Sequence, residues 1–327
     1  MASKTLSVIE EVWEKPSDYE DVVCHVNSTF KNDESELDFI CGEPVTLLTR
    51  FGERGRDLAQ FQDATDINYI DCDKILVTDM INNRVVCYNE TGNPVQVYEG
   101  EGIKEPWAST VDEFDRICVT SRKNKHVIIM SHNSETVTEF GSDYFQRPCG
   151  IAVTKSGNFV VTDMLAGEVT IYSKDGGDII LTLNDPTMRI EKRSFTYPRY
   201  VHVTLNGDIV VSDSGQHCLK IFDKNGAFVK SIGRYGKGDG FMKSPHGVTS
   251  DSHGNIIVAD HYNDRVSLFS RGGEFICHLV TAEDGIIHPQ GVDLSRDLKL
   301  FVTHGNLKAH TISVFQINLF DDREVPV

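Results

Sequence analysis

Four aspartates, Asp79, Asp163, Asp213 and Asp260, each close an apolar run of the form V-x-D, and Ser121 and His304 hold the same place in two further runs. Recurring carboxylates are the raw material of acid–base chemistry or metal ligation. Their neighbours argue for a structural role instead. Arg84 follows Asp79 and Arg265 follows Asp260, so each pair stands at the two ends of a short turn. There a carboxylate accepts backbone N–H bonds and pairs with the guanidinium. The copies ending at Asp163 and Asp213 carry Glu168 and Cys218 at the arginine position, so the pair is not required in each copy. Cys149 and His246 could form a thiol–imidazole pair, but they fall in copies two apart and nothing else in the sequence supports that chemistry.

The elements that hold these residues repeat. Apolar strands ending in the marker position recur at 79, 121, 163, 213, 260 and 304, spacings of 42, 42, 50, 47 and 44 residues. Each is followed by a polar loop, a second apolar strand ending in an aromatic, and a Gly turn. The clearest copies are ILVTDMINNRVVCY (75–88), FVVTDMLAGEVTIY (159–172), IVVSDSGQHCLKIF (209–222) and IIVADHYNDRVSLF (256–269). A period of this size in β-rich sequence predicts an all-β, six-bladed β-propeller, each repeat being a blade that cannot bury both faces alone. In the third copy GIAVT (150–154), NFVVTD (158–163), EVTIY (168–172) and DIILTL (178–183) read as strands a to d.

The segment PVTLLTRFGERGRDLAQF (44–61) reads as a strand d with no a–b–c strands before it, and the last repeat ends after strand c at Val314–Phe315. Residues 45–50 are therefore expected to complete the last blade and close the ring. The predicted propeller covers 43–320, flanked by an acidic N-terminal segment or linker, 1–42, and a tail, 321–327. The first flank carries ten acids against three bases, so much of the net charge of −17 lies outside the ring. The eight cysteines form no C-x-x-C, and no stretch has signal-peptide or membrane-spanning character. A cytoplasmic chain with reduced thiols is the expectation, with no membrane partner.

The V-x-D…N-x-R-V…F pattern, the P-x-G-[VI] opening of strand a and the F-G-x-x-G turn together resemble the NHL repeat, with SPHGVTSDSHGNIIVADHYNDRVSLF (244–269) close to an ideal copy. The resemblance covers 44–317 and looks most like the C-terminal NHL propellers of tripartite-motif proteins. It implies ubiquitin ligases or post-transcriptional regulators whose propeller recognises a protein or a single-stranded RNA. The sequence shows no RING or B-box cysteine/histidine pattern and no coiled-coil heptads. An isolated propeller and a propeller belonging with a longer N-terminal half both remain open.

In a propeller the d–a and b–c loops emerge on one face, where the openings of strand a ring the channel. The ring residues are Thr65, Trp107, Cys149, Arg199, His246 and Gln290. The fourth blade opens P-R-Y-V, with Tyr200 where three others have Gly, and Arg189, Lys192 and Arg193 precede it. Arg122 and Lys123 in the second blade and Tyr262 in the fifth extend this basic, aromatic arc. The expected ligand face is therefore Trp107, Arg199, Tyr200, His246 and Tyr262, with Arg189, Lys192, Arg193, Arg122 and Lys123 as surrounding charge. Guanidinium and phenol groups stack on bases, so RNA is possible. The overall acidity and the loop carboxylates Glu99, Glu101, Glu105, Glu139, Asp143, Asp239, Glu283 and Asp284 oppose phosphate. The alternative role for Tyr200 is to plug the channel mouth. The leading expectation is a non-catalytic module for a protein partner, with single-stranded RNA second, a metal-dependent enzyme third, and no DNA. No metal or other cofactor is expected, because the ring offers one histidine and no carboxylate and His202 and His304 stand alone.

Overall fold

The computed structural model describes residues 45–70, 74–89, 91–187 and 193–317. They form six four-stranded antiparallel sheets. Blades 1 to 5 occupy 64–99, 106–140, 148–182, 198–232 and 245–280, each with strands in sequence order from the axis outward. Blade 6 consists of Val292–Leu294, Lys299–His304 and Thr311–Gln316, with Thr46–Phe51 added as its outer strand. Thr46 pairs with Gln316 and Phe51 with Ile312, so the chain closes the ring as its repeat phase requires.

The burial pattern explains the strand compositions. Strands b and c, such as Phe159–Asp163 and Cys218–Phe222, are buried along their whole length because each face meets a neighbouring blade. Strand d is the solvent edge; in blade 3 all four residues of Ile179–Thr182 are exposed. Strand a starts two residues earlier than the apolar pattern suggests, at the repeat proline, because Pro148 pairs with Asp163 across a bulge that ends at Ile151.

This register places the start of strand a, the b–c turn and the d–a loop at one end of each blade. Three features lock that end. The aspartate closing strand b accepts the backbone N–H groups that lead into strand a: Gln62 and Asp63 for Asp79, Gln146 and Arg147 for Asp163, Thr196 and Tyr197 for Asp213. The arginines clamp the loop outside. Arg265 binds Asp260 at 2.9 Å and donates to the carbonyls of Lys237, Gly238 and Phe241. Arg84 does the same with Asp79 and the carbonyls of Arg56, Asp57 and Gln60. The carboxylates are thus consumed by architecture.

The third feature lies in the x of V-x-D. Thr120 Oγ1 donates to the Cys149 carbonyl at 2.6 Å and receives the Ala108 N–H, joining blade 2 to blade 3. Thr162, Ser212 and Thr303 receive the N–H of Gly150, Tyr200 and Gly291 in their own blades. These buried hydroxyls satisfy the strand a amides freed by the bulge.

Candidate ligand face at the channel mouth

The residue two beyond the repeat proline, or beyond Ala64 in blade 1, decides what fills the axis. It is Asp66, Ala108, Gly150, Tyr200, Gly247 and Gly291 in blades 1 to 6. At Gly150 and Gly291 a Cβ would come within 2.7–2.8 Å of the next blade's backbone, so those blades approach too closely for a side chain there. The space left by the small residues is taken by Tyr200. Its hydroxyl crosses from blade 4 to the Thr65 carbonyl of blade 1. Its ring lies 5.9 Å from Trp107 and 6.0 Å from His246, and it is 4 % exposed. Burial raises its phenol well above the ordinary value. Tyr200 is a plug.

Below the plug lies a cavity of about 200 Å³ lined mainly by strand a residues, among them Asp66, Asn68, Thr110, His202 and Asp293. Burial raises Asp66 to about 7, yet Ser109 N–H and Asn68 already bond it at 3.0 and 2.8 Å. Asp293 accepts from Tyr69 N–H and Thr249, each at 2.7 Å, and so links blades 1, 5 and 6. His202 bonds Ser250 at 2.9 Å, and burial lowers it to about 4. These groups stitch blades together.

Above the plug the predicted ligand residues sit at two depths. Trp107, His246 and Arg122 are buried, at 5, 6 and 6 % exposure. Arg122 lies over the Trp107 ring at 4.4 Å and Arg199 at 5.6 Å. The indole and phenol faces are therefore covered, not open as stacking platforms. Lys123, Arg193 and Tyr262 are exposed. Arg193 reaches the Leu165 carbonyl at 3.5 Å. Arg189 and Lys192 fall outside the described residues.

His246 also begins a second cluster. Its ring stacks on His261 at 4.0 Å, and His261 stacks on His288 at 5.1 Å, with Tyr262 edge-on to both of the latter. Burial, with neighbouring cationic groups, holds His246 well below its ordinary range, and burial takes His261 to about 3, so both imidazoles are neutral at pH 7. Cys149 is fully buried and its thiol is raised by that burial despite three nearby arginines; its Sγ contacts the Arg147 carbonyl at 3.5 Å. This is a packed thiol rather than an activated nucleophile.

Two features escaped the sequence reading. Lys220, inside the apolar strand CLKIF, is 1 % exposed and bonds Asp185 at 2.7 Å and the Ser194 carbonyl at 2.5 Å. It anchors the long loop into blade 4, where Cys218 stands at the position that Arg84 and Arg265 hold in blades 1 and 5. A lysine in a buried strand was the available signal. The other is an apolar rim. Leu58, Ile81, Tyr144, Leu165, Tyr235, Tyr262, Ile287 and Leu307 are exposed, and all lie in d–a or b–c loops. Among the described residues the a–b turns at the opposite end expose only Phe114 and Leu205 as large apolar side chains.

Comparison with known proteins fits this architecture. Residues 242–269 match the NHL repeat. The chain is similar to a probable peptidyl-alpha-hydroxyglycine alpha-amidating lyase of Caenorhabditis elegans, 30% identical over 155 residues, 46% of this chain and 44% of that protein. It is equally similar, 30% identical over 142 residues, to the Drosophila melanogaster protein brain tumor, covering 42% of this chain and 13% of that one. The chain therefore spans less than half the length of either relative. Among solved structures, a catalytically inactive virginiamycin B lyase from Staphylococcus aureus superposes with a TM-score of 0.60 at 12% identity, over 83% of this chain and 99% of that one. That likeness shows the propeller fold alone. The repeat match and the relatives bear out the resemblance to NHL-repeat proteins of the tripartite-motif kind.

Proposed function

We propose that this NHL-repeat propeller is a non-catalytic recognition module that binds a protein partner on the face carrying its d–a and b–c loops. The observation that carries the reading is the asymmetry of exposed apolar groups. Tyrosines and aliphatics crowd this rim, while the opposite end is nearly bare of them. Such patches on a rigid scaffold suit protein contact, and Tyr is favoured at interface hot spots. The tripartite-motif resemblance carried by the NHL repeats supports a setting in ubiquitin-dependent or post-transcriptional regulation.

Catalysis has less support. Cys149 is packed, His246 and His261 are stacked on one another, and the carboxylates at this end hold loops in place. RNA recognition keeps one specific observation in its favour, the closeness of Arg122, Arg147 and Arg199 around the mouth.

Selection of displayed random peptides against the full chain tests the proposal. The expected result is an enriched motif whose binding is lost in a Lys123→Glu, Tyr262→Ala, Tyr235→Ala variant and kept in an Ile180→Ser variant on the blade edge. Failure to enrich any motif, or enrichment insensitive to the rim variant, would overturn it.

A further inference from the structure

Buried cations are ordinarily paired, and elsewhere in this propeller they are. Arg84, Arg265 and Lys220 each meet a carboxylate and at least one carbonyl. The two arginines at the channel mouth depart from that rule. The Arg122 Nε is buried without a hydrogen-bond partner, and its Nη1 reaches only the Met80 sulfur, at 3.5 Å. The Arg199 Nε is also buried and unpartnered. Among the described residues neither guanidinium closes an ion pair with a carboxylate. Both lie against the Trp107 ring, whose own Nε1–H is buried and unpartnered too. Burial first, and then the neighbouring Arg147 and Arg199, push the Arg122 guanidinium downward in pKa, against opposing pulls from Cys149 and from Glu105, neither of which bonds it. Two guanidinium donors and an indole donor thus share one small site in which no carboxylate among the described residues bonds them.

We propose that the channel mouth is a carboxylate-binding pocket, in which Arg122, Arg199 and the Trp107 indole N–H receive an acidic group of a protein partner. The proposal rests on the reading of this face as a protein-recognition surface, and supplies the chemistry of its centre. A planar carboxylate matches the guanidinium fork and accepts the charge-assisted bonds that the site leaves unmade. A peptide also offers N–H donors for the buried, unpartnered Oε1 of Gln290 on the same ring. Bases would need open rings, yet Trp107 and Tyr200 are 5 and 4 % exposed. Sequence-tolerant RNA binding depends on such stacking along a basic track.

The chain has two tryptophans, so Trp13→Phe leaves Trp107 as the sole indole. The test follows that indole N–H in 15N-labelled full chain by NMR. Probes are N-acetylglycine for a terminal carboxylate, N-acetyl-aspartate amide for a side-chain carboxylate, N-acetyl-asparagine amide as the neutral control, and a decamer of oligo-uridine. One or both acids should shift the indole saturably with a Kd in roughly the millimolar range expected for so few atoms. The asparagine probe should not shift it, and half-buried Arg199→Gln should weaken the acids about tenfold, the loss of one charge-assisted bond. Which acid binds more tightly identifies the source of the carboxylate. No shift with either acid overturns the pocket, as does an oligo-uridine shift at lower concentration that the acids cannot displace. If the acids fail while rim-dependent peptides are still selected, the carboxylate assignment falls and the protein-binding face stands.

Discussion

Tyr200 can be removed in two steps whose costs differ for known reasons. Tyr200→Phe deletes only the hydroxyl that reaches the Thr65 carbonyl across the axis. One net hydrogen bond is worth about 1 kcal/mol, and more if the carbonyl is left dry. Tyr200→Gly restores the residue found at Gly150, Gly247 and Gly291 but empties the axis. Truncating a buried aromatic costs about 3–5 kcal/mol, and glycine in a strand adds up to about 1 kcal/mol. The expected losses are therefore about 1 and about 5 kcal/mol, the latter a large share of a stability of about 5–15 kcal/mol. Guanidinium unfolding of both variants in a Trp13→Phe background measures them. Acrylamide quenching reports whether Trp107, 5.9 Å from the Tyr200 ring, becomes accessible. If Tyr200→Gly costs under about 1 kcal/mol and leaves Trp107 shielded, against the cost of truncating a packed aromatic, Tyr200 is not the plug.

Arg265→Ala should cost about 3–5 kcal/mol, because Asp260 stays buried while three loop carbonyls lose their donor; Arg265→Lys should not rescue it in denaturant titrations, since an ammonium cannot span that fork. Lys220→Ala should cost a similar amount, whereas Lys220→Met with Asp185→Leu should unfold within about 1 kcal/mol of the natural chain, a buried pair being replaceable by apolar volume. Asp66 carries a folded-state pKa of about 7 against 3.8, caused first by burial. The fold therefore binds the extra proton across pH 3.8–7, and that contribution is lost as pH rises through 7. Asp66→Asn should gain stability relative to the natural chain from pH 5 to pH 8, by about 1.4 kcal/mol per unit below 7; thermal melts at the two pH values that show no such gain would contradict the burial of a titrating carboxylate.

The blade architecture was legible because its signals are local. The strand-ending aspartate, the turn glycine and the alternation of strands recur within each copy, and the orphan strand at 45–50 announces closure. Asp–Arg pairs five residues apart were readable for the same reason. Depth at the mouth was not. Arg122 and Trp107 look like loop and rim residues in sequence, but they pack on one another and beside Arg199 and Tyr200 of blade 4. Tyr200 was visible as an exception to glycine, while its reach to Thr65, 135 residues away, depends on how six openings converge. The apolar rim comes from single residues in unrelated loops, none remarkable in its own segment. Lys220 and Asp185 lie 35 residues apart with no pattern linking them.

The most direct test of the central claim is site-specific photo-crosslinking. A benzoylphenylalanine at position 262, on the rim, is compared with one at position 180, on the outer edge of blade 3, in the full chain within cells. The account predicts discrete adducts from the rim position that protease removes and ribonuclease leaves intact, and none from the edge position. Adducts that ribonuclease removes, or adducts formed at the edge and not at the rim, would contradict it.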